Sequence, residues 1–150
     1  MRTEQAGQLL VAAQLGLLAL ILADGIRTRP RPRTVRVAGT LVGRAGLLLA
    51  VWSARSLGRQ LTPLPDPVPG GVLVERGPYR AVRHPLYTGL LLASLGWTVA
   101  RGGRLSALGT ALLAVVLNVK AAREEDALTR TYPTYAAYRA RTGRFLPRWR

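Results

Sequence analysis

Four apolar runs divide the sequence, and polar segments rich in arginine separate them. The runs cover residues 6–23, 37–54, 86–100 and 105–119. The first two approach the ~20 residues that a helix needs to cross a hydrocarbon core of ~30 Å. The last two are shorter, but each can extend into its polar flank, and only Arg101-Gly102-Gly103-Arg104 separates them, which predicts a tight helical hairpin. The pattern therefore predicts an all-α integral membrane bundle of about four transmembrane helices.

Two other interpretations of these runs stay open. Arg2 and the first run could form a secretory signal peptide, although the run is long for that class and the sequence at 22–25 is a poor cleavage site. The last two runs could instead form a buried hairpin in a soluble helical bundle. Four apolar runs within 150 residues favour the membrane interpretation over both.

Composition supports the same class. Hydrophobic residues make up 49% of the chain, yet 22 basic residues face only seven acidic ones. A nucleic-acid binder would carry its basic residues on an amphipathic face without long charge-free runs, so no nucleic-acid partner is predicted. The absence of cysteine excludes disulfides and thiolate catalysis, and one histidine with few acids argues against a metal site.

Basic residues also predict an orientation. With four spans, the N-terminus, the 55–85 linker and the 120–150 tail share one side, which carries 14 Lys and Arg residues against seven on the other. The positive-inside rule places that side in the cytoplasm, although five arginines in 27–36 oppose it locally. With five arginines and two prolines, residues 27–36 are predicted to be a connector rather than a helix. The Arg- and Ala-rich composition is typical of proteins from bacteria of high GC content. We therefore expect the protein to lie in a bacterial inner membrane.

Arg44 lies inside the second apolar run, where an arginine costs of order 2.5–3.5 kcal/mol near the membrane centre. We interpret it as a structural arginine that snorkels towards the head groups, with anion or head-group binding as the alternative.

The chain is expected to form a single domain from residue 1 to 150. Its predicted parts are two N-terminal spans (1–54), a catalytic linker (55–85), a helical hairpin (86–119) and a catalytic tail (120–150). Within the linker, residues 62–71 hold four prolines and two glycines, which predicts an extended or turn-rich segment.

Two polar segments are candidates for chemistry. Residues 76–89 hold three arginines, two tyrosines, two prolines and the only histidine, between apolar segments. In the tail, Lys120 and Glu124 are spaced to share one helix face, whereas Glu125 points about 100° away. Tyrosines then alternate with basic residues, a pattern that suits either an interfacial belt at anionic head groups or an electropositive lid.

These two segments together resemble a known family. Gly77-Pro78-Tyr79-Arg80 and Val82-Arg83-His84-Pro85-Leu86-Tyr87 are similar to the signature of the isoprenylcysteine carboxyl methyltransferases, a family that overlaps with the membrane phospholipid N-methyltransferases. The pair Glu124-Glu125 and the element Arg144-Phe145-Leu146-Pro147 follow in the family's order. The resemblance covers roughly residues 71–147.

The resemblance implies S-adenosylmethionine (SAM) as methyl donor, bound in a membrane catalytic domain unrelated to soluble Rossmann methyltransferases. It implies a cofactor-binding set consisting of Val72, Leu73, Val74, Tyr79, His84, Pro85, Leu86, Tyr87 and Glu124. It also implies that Lys120 contacts the carboxylate of the acceptor. We predict catalytic roles for Lys120, Glu124 and Arg83, and acceptor binding by Lys120 and Arg139, because the basic residues among them can hold an anionic acceptor. A general-base role for His84 is the alternative to its cofactor-binding role.

The function expected from the resemblance is SAM-dependent methyl transfer to a lipophilic, membrane-associated acceptor, such as an isoprenylcysteine-like carboxylate on a small molecule or a lipidated substrate. The alternatives are phospholipid N-methylation, a sterol-reductase-like enzyme that uses NADPH, and a non-catalytic protein that binds membrane lipids. The Arg-His-Pro-x-Tyr sequence and the glutamate pair favour methyl transfer over hydride transfer.

Overall fold

The computed structural model describes residues 2–29, 31–64 and 68–148. It is all-α, with 76% helix and no strand among the described residues. The five α-helices are α1 (Arg2–Arg27), α2 (Arg33–Leu57), α3 (Pro85–Arg101), α4 (Arg104–Thr131) and α5 (Tyr135–Arg141). Short 3₁₀ turns lie at Gly58–Gln60 and Gly77–Arg80. The all-α prediction is confirmed.

Among the described residues, three helical segments are long and apolar enough to cross a membrane: Gln5–Arg27, Arg33–Gln60 and Arg104–Thr131. Large apolar side chains project from them unburied, including Leu9, Leu48 and Val115, which are 70%, 70% and 61% exposed. A surface of that kind suits lipid rather than water. Helix α3 has 17 residues and is shorter than the usual spanning length, so three of the expected four spans meet this criterion.

The connectors differ from expectation in one respect. The 27–36 segment was predicted as a connector, but α1 continues to Arg27 and α2 begins at Arg33. Pro32 is the residue before α2, and no proline follows it within the helix. Arg33 and Arg36 are therefore helical, and α2 begins before its apolar run. The proline-rich segment lacks helix where it is described, and its residues 65–67 lie outside the described part of the chain.

Helices α2 and α3 pack antiparallel through small residues. Gly39, Gly43 and Gly46 of α2 face Gly96 and Gly89 of α3 so closely that a methyl group on any of Gly39, Gly46, Gly89 or Gly96 would meet backbone atoms of the other helix. At Gly96 the added carbon would lie 2.2 Å from the Gly43 nitrogen. Small residues allow such backbone contact within a membrane. We call this contact the glycine seam.

Replacing Gly96 with alanine should therefore destabilise the protein, because the backbone of α2 must move away. An overpacked contact of this kind costs about 1–3 kcal/mol. Gly16 of α1 is a matched control, since an added methyl group there would meet nothing within 4 Å. Thermal unfolding in detergent should show a lower midpoint for Gly96→Ala only; equal midpoints for the two variants would contradict the seam.

Helices α1 and α4 form the other half of the bundle. Ile21 packs against Leu113 and Leu117, and all three side chains are fully buried. The carboxylate of Asp24 accepts hydrogen bonds from the backbone nitrogen (2.7 Å) and the hydroxyl (2.9 Å) of Ser106, in the first turn of α4. An acid at this position satisfies free N–H groups and complements the helix dipole, so α1 caps α4.

The predicted tight turn between α3 and α4 is present. Gly102 adopts a left-handed conformation (φ 77°), and its N–H donates to the Thr98 carbonyl at 2.7 Å, a common way to end a helix. The Trp97 indole then joins α3 to α1 through a 3.1 Å hydrogen bond to the Ile21 carbonyl.

Candidate active site

Residues 76–89, which contain the arginines, tyrosines and histidine noted above, lead into the start of α3. We call this segment the strip. Gly77 has a positive φ of 59° and opens the 3₁₀ turn, which buries Tyr79. His84 is the residue before the helix, and Pro85 occupies the first helical position, where its missing N–H costs nothing. The strip is therefore held rigidly at one end of the bundle.

The tail binds this strip through its backbone. Val82 and Gly143 form an isolated parallel bridge, with hydrogen bonds from the Arg83 and His84 nitrogens to the carbonyls of Gly143 (2.8 Å) and Arg144 (3.0 Å). Segments separated by about sixty residues of sequence are thereby fixed side by side. The bridge places the end of the tail directly against the side chains of the strip.

Glu125 is the centre of a buried ionic network. Its carboxylate, 2% exposed, accepts from Arg83 Nε at 3.0 Å and from Arg144 Nε and Nη2, each at 3.0 Å. His84 Nε2 lies 3.2 Å away, and the exposed Arg139 has its Nε at 3.9 Å. Arg83 also donates to the carbonyl of Thr142. The network joins the strip, α4 and the tail.

His84 lies between the two glutamates. Its Nδ1 is 3.3 Å from Glu124, and its Nε2 is 3.2 Å from Glu125. Burial alone would lower the pKa of His84, but the hydrogen bonds to Glu124 and Glu125 outweigh it and raise that pKa above its ordinary value. Only the imidazolium form donates from both ring nitrogens, so this geometry favours a protonated His84.

Glu124 faces a different environment from Glu125. It accepts a hydrogen bond from the Tyr87 hydroxyl, and its side chain is 20% exposed. Lys120, one turn earlier, is 2% exposed; its Nζ lies 3.0 Å from Gln14 Oε1 of α1 and 5.4 Å from the centre of the Tyr87 ring. Lys120, Gln14 and Tyr87 therefore form a cluster of polar side chains inside an otherwise apolar bundle.

An open cavity of about 840 Å³, counting its mouth, lies between the strip, the linker and the tail. Its lining is largely apolar and aromatic, as small-molecule sites usually are. The lining includes Leu57, Gln60, Val72, Leu73, Val74, Tyr79, Arg83, His84, Leu86, Tyr87, Glu124, Leu128, Tyr132, Tyr135 and Tyr138.

Three buried tyrosines give this cavity hydroxyl groups. Burial raises the pKa of Tyr79, Tyr135 and Tyr138, which keeps the phenols protonated. The Tyr138 hydroxyl donates to the Tyr79 carbonyl at 2.8 Å. The Tyr135 hydroxyl is buried and has no hydrogen-bond partner among the described residues. A buried polar group of this kind calls for a partner from a ligand or water.

Residues 34–135 match the family described as phospholipid methyltransferase, and the match covers more than half of the 150-residue chain. The chain belongs to the phospholipid methyltransferase family. A search of curated proteins finds no match. Membership confirms the resemblance to membrane methyltransferases and indicates an integral membrane methyltransferase, with a methyl donor that is typically SAM and substrates of the lipid type.

Most of the residues proposed for the cofactor of this methyltransferase line one cavity. Of the nine, Pro85 alone is not among the lining residues. Arg83 also lines the cavity, although its guanidinium binds Glu125 and tail carbonyls. Lys120 lies behind the Tyr87 ring rather than in the lining, and Arg139 is more than half exposed at the edge of the network.

Several residues of the candidate site were missed from the sequence. Glu125 and Arg144 were assigned no role, yet they bind each other in the buried ionic network beside the cavity. Gln14 was visible only as one of two polar interruptions in the first apolar run. Tyr135, almost fully buried, was treated as part of an interfacial or lid pattern. A polar residue within an apolar span was the available signal for Gln14.

Proposed function

We propose that this protein transfers a methyl group from SAM to a lipophilic, membrane-associated acceptor. The observation that carries the proposal is the cavity between the strip and the tail, in a chain of the phospholipid methyltransferase family. The family indicates methyl transfer, and the cavity provides a site for the donor.

The chemistry of the cavity fits SAM. Its lining combines apolar and aromatic side chains with a few polar groups, as small-molecule sites usually do. The ring faces of Tyr79 and Tyr87 suit an adenine base and a cationic sulfonium, and the Glu124 carboxylate suits ribose hydroxyls or an ammonium group. The Tyr135 hydroxyl, which has no partner within the described ranges, supplies a further donor.

We assign donor binding to the residues predicted for it. Residues 72–74 have non-helical backbone and line the cavity opposite Leu86. Tyr87 is positioned by Glu124 and by stacking on His84, whose ring lies parallel to it within 2°. Pro85 contributes by starting α3, because its fixed φ sets where His84 and Leu86 point.

Bound SAM would supply an activated methyl group on a sulfonium, so the protein has mainly to align the acceptor and exclude water. A protonated His84, held between two carboxylates, serves as a positioning residue rather than as a base. Glu124 lines the cavity, is 20% exposed and is the candidate proton acceptor if the substrate is an amine. A carboxylate acceptor needs no base.

Lys120 is our candidate contact for an anionic acceptor group, with Arg139 at the outer edge. A lysine buried to 2% exposure beside the neutral Gln14 favours a carboxylate, because a buried cation gains from an anionic partner. The family match favours the second candidate, phospholipid N-methylation. In both cases the acceptor is lipophilic and approaches from the membrane.

We further propose that α3 is a fourth, short span within one domain, and that the cavity faces the cytoplasm of a bacterial inner membrane. The charge distribution supports this orientation. Under a four-span topology, 14 of the 22 basic residues lie on the same side of the membrane as the cavity.

Ligand binding tests the proposal directly. The protein purified in detergent should bind SAM saturably in isothermal titration calorimetry and should show no comparable heat with NADPH. With methyl-labelled SAM and membrane lipid extract, label should enter the lipophilic fraction, and mass spectrometry should identify an ester or an N-methyl product. Binding of NADPH without SAM would support a reductase, and binding of neither would support a non-catalytic lipid binder.

A further inference from the structure

A second cavity lies at the opposite end of α2 from the active-site cavity. It is open and measures about 680 Å³, counting its mouth, and it is lined by residues of both α2 and α3. Three arginines and a threonine line it (Arg36, Arg44, Arg101 and Thr40), together with Trp97. Residues 44 and 57 of α2, which line the two cavities, are about 20 Å apart at the helical rise of ~1.5 Å per residue. The two sites are therefore separate.

The arginines converge from both helices. Arg36, Thr40 and Arg44 recur at intervals of four along α2 and share one of its faces. Arg101 ends α3, with its guanidinium 5.1 Å from the centre of the Trp97 ring. The Nε of Arg101 is buried without a hydrogen-bond partner among the described residues. A donor group in that state needs an acceptor from outside the protein.

The protein offers little negative charge to these arginines. Neither α2 nor α3 contains an acidic residue, and the chain has no acid in 25–65 or 76–123. Asp24 is the acid nearest in sequence to Arg36 and Arg44, but its carboxylate binds the first turn of α4. An arginine within a membrane normally faces a partner or a wet cavity, so a ligand is the remaining source of negative charge for Arg44.

The shape of the cavity identifies the ligand class. Arg36 and Arg101 lie towards the helix ends and Arg44 lies deeper, whereas Leu47, Ala93 and the glycines Gly39, Gly43 and Gly96 line the rest. Arginine binds phosphate oxygens in a bidentate manner, and a shallow apolar surface beyond it suits an acyl chain. From its deeper position, Arg44 can extend towards the head-group level.

We propose that this cavity binds an anionic phospholipid, with its phosphate held by Arg36, Arg44 and Arg101 and an acyl chain along the outside of the glycine seam. The bound lipid neutralises a cluster that the protein leaves uncompensated and joins the ends of α2 and α3. It is a resident lipid, distinct from the methyl acceptor. The proposal does not depend on SAM use.

Native mass spectrometry of the purified protein, titrated with phosphatidylglycerol and with phosphatidylcholine, tests this site. Phosphatidylglycerol should bind more tightly, and Arg44→Gln and Arg101→Gln should each weaken it about ten- to a hundredfold, the loss expected for a charge-assisted hydrogen bond. Arg104→Gln is the matched control, because Arg104 lies at the same end but does not line the cavity. Its affinity should stay within about twofold of wild type.

Three outcomes would overturn the proposal. Equal affinity for the two lipids would remove the requirement for negative charge. An equal loss in Arg104→Gln would indicate diffuse attraction rather than a site. Binding of inorganic phosphate as tight as that of phosphatidylglycerol would assign the arginines to a free anion. Thermal unfolding of each variant in detergent, without added lipid, serves as the folding check, and its result does not depend on SAM binding.

Discussion

Glu125→Gln should strongly destabilise the protein, and we expect this to be the largest effect of any single substitution at the site. The carboxylate is buried and is the shared partner of Arg83, His84 and Arg144. Glutamine keeps the shape but removes the charge, which leaves buried cations uncompensated. Breaking a buried ion pair from one side costs about 3–5 kcal/mol.

The measurement is thermal unfolding in detergent, with Asp126→Asn as the matched control. Asp126 is the next residue along α4, carries the same charge and is exposed, so its loss should change stability by less than about 0.5 kcal/mol. The tail should also become accessible to protease in Glu125→Gln, because its side-chain attachment to the strip is lost. An unfolding midpoint equal to that of Asp126→Asn would contradict the central role of Glu125.

Glu124→Gln should instead reduce donor binding while leaving most of the stability in place. Glu124 is partly exposed, lines the cavity and holds the Tyr87 hydroxyl. Loss of a hydrogen bond to a charged group costs about 1.5–3 kcal/mol, which corresponds to roughly ten- to a hundredfold weaker SAM binding. Calorimetric titration with SAM measures the effect.

Arg123→Gln is the control for this prediction, because Arg123 precedes Glu124 on α4 and is exposed outside the cavity lining. Tyr87→Phe separates the two contributions, since it removes the hydroxyl but keeps the ring; it should weaken SAM binding less than Glu124→Gln does. Unchanged SAM affinity in Glu124→Gln would remove this residue from the donor site, even if the protein binds SAM elsewhere.

The helices were largely predictable because apolar runs of sufficient length have few alternatives to helix in a membrane. Their ends were less predictable. Residues 33–36 were expected to lie in a connector, but arginine is a good helix former, so α2 begins earlier than its apolar run. An apolar run predicts which part of a helix lies in lipid, but it does not predict the residue at which the backbone hydrogen bonds of the helix end.

The partner of α3 was only partly predictable. A two-glycine turn predicts that α3 lies beside α4, yet its closest packing is against α2 through Gly46 and Gly96. Small residues at alternating spacings of four and three were visible in both segments (39, 43, 46, 50 and 89, 93, 96, 100). That repeat places small residues on one helix face, and it was the signal for the seam.

The site depended on information beyond periodicity. The family resemblance associated the strip with Glu124, but the role of Glu125 depends on Arg144, which reaches it only because the tail bridges to the strip. Gln14 likewise meets Lys120 only because α1 packs against α4. Contacts between residues so distant in sequence follow from the three-dimensional arrangement, which spacing along the chain does not encode.

The glycine seam has a consequence for the direction from which a substrate arrives. If a single methyl group cannot enter between α2 and α3 at Gly96 or Gly46, an acyl or prenyl chain cannot pass there either. Molecules dissolved in the bilayer therefore cannot enter between α2 and α3. A lipid acceptor must enter between another pair of helices. Substitutions that change the preferred chain length of the acceptor should lie away from the seam.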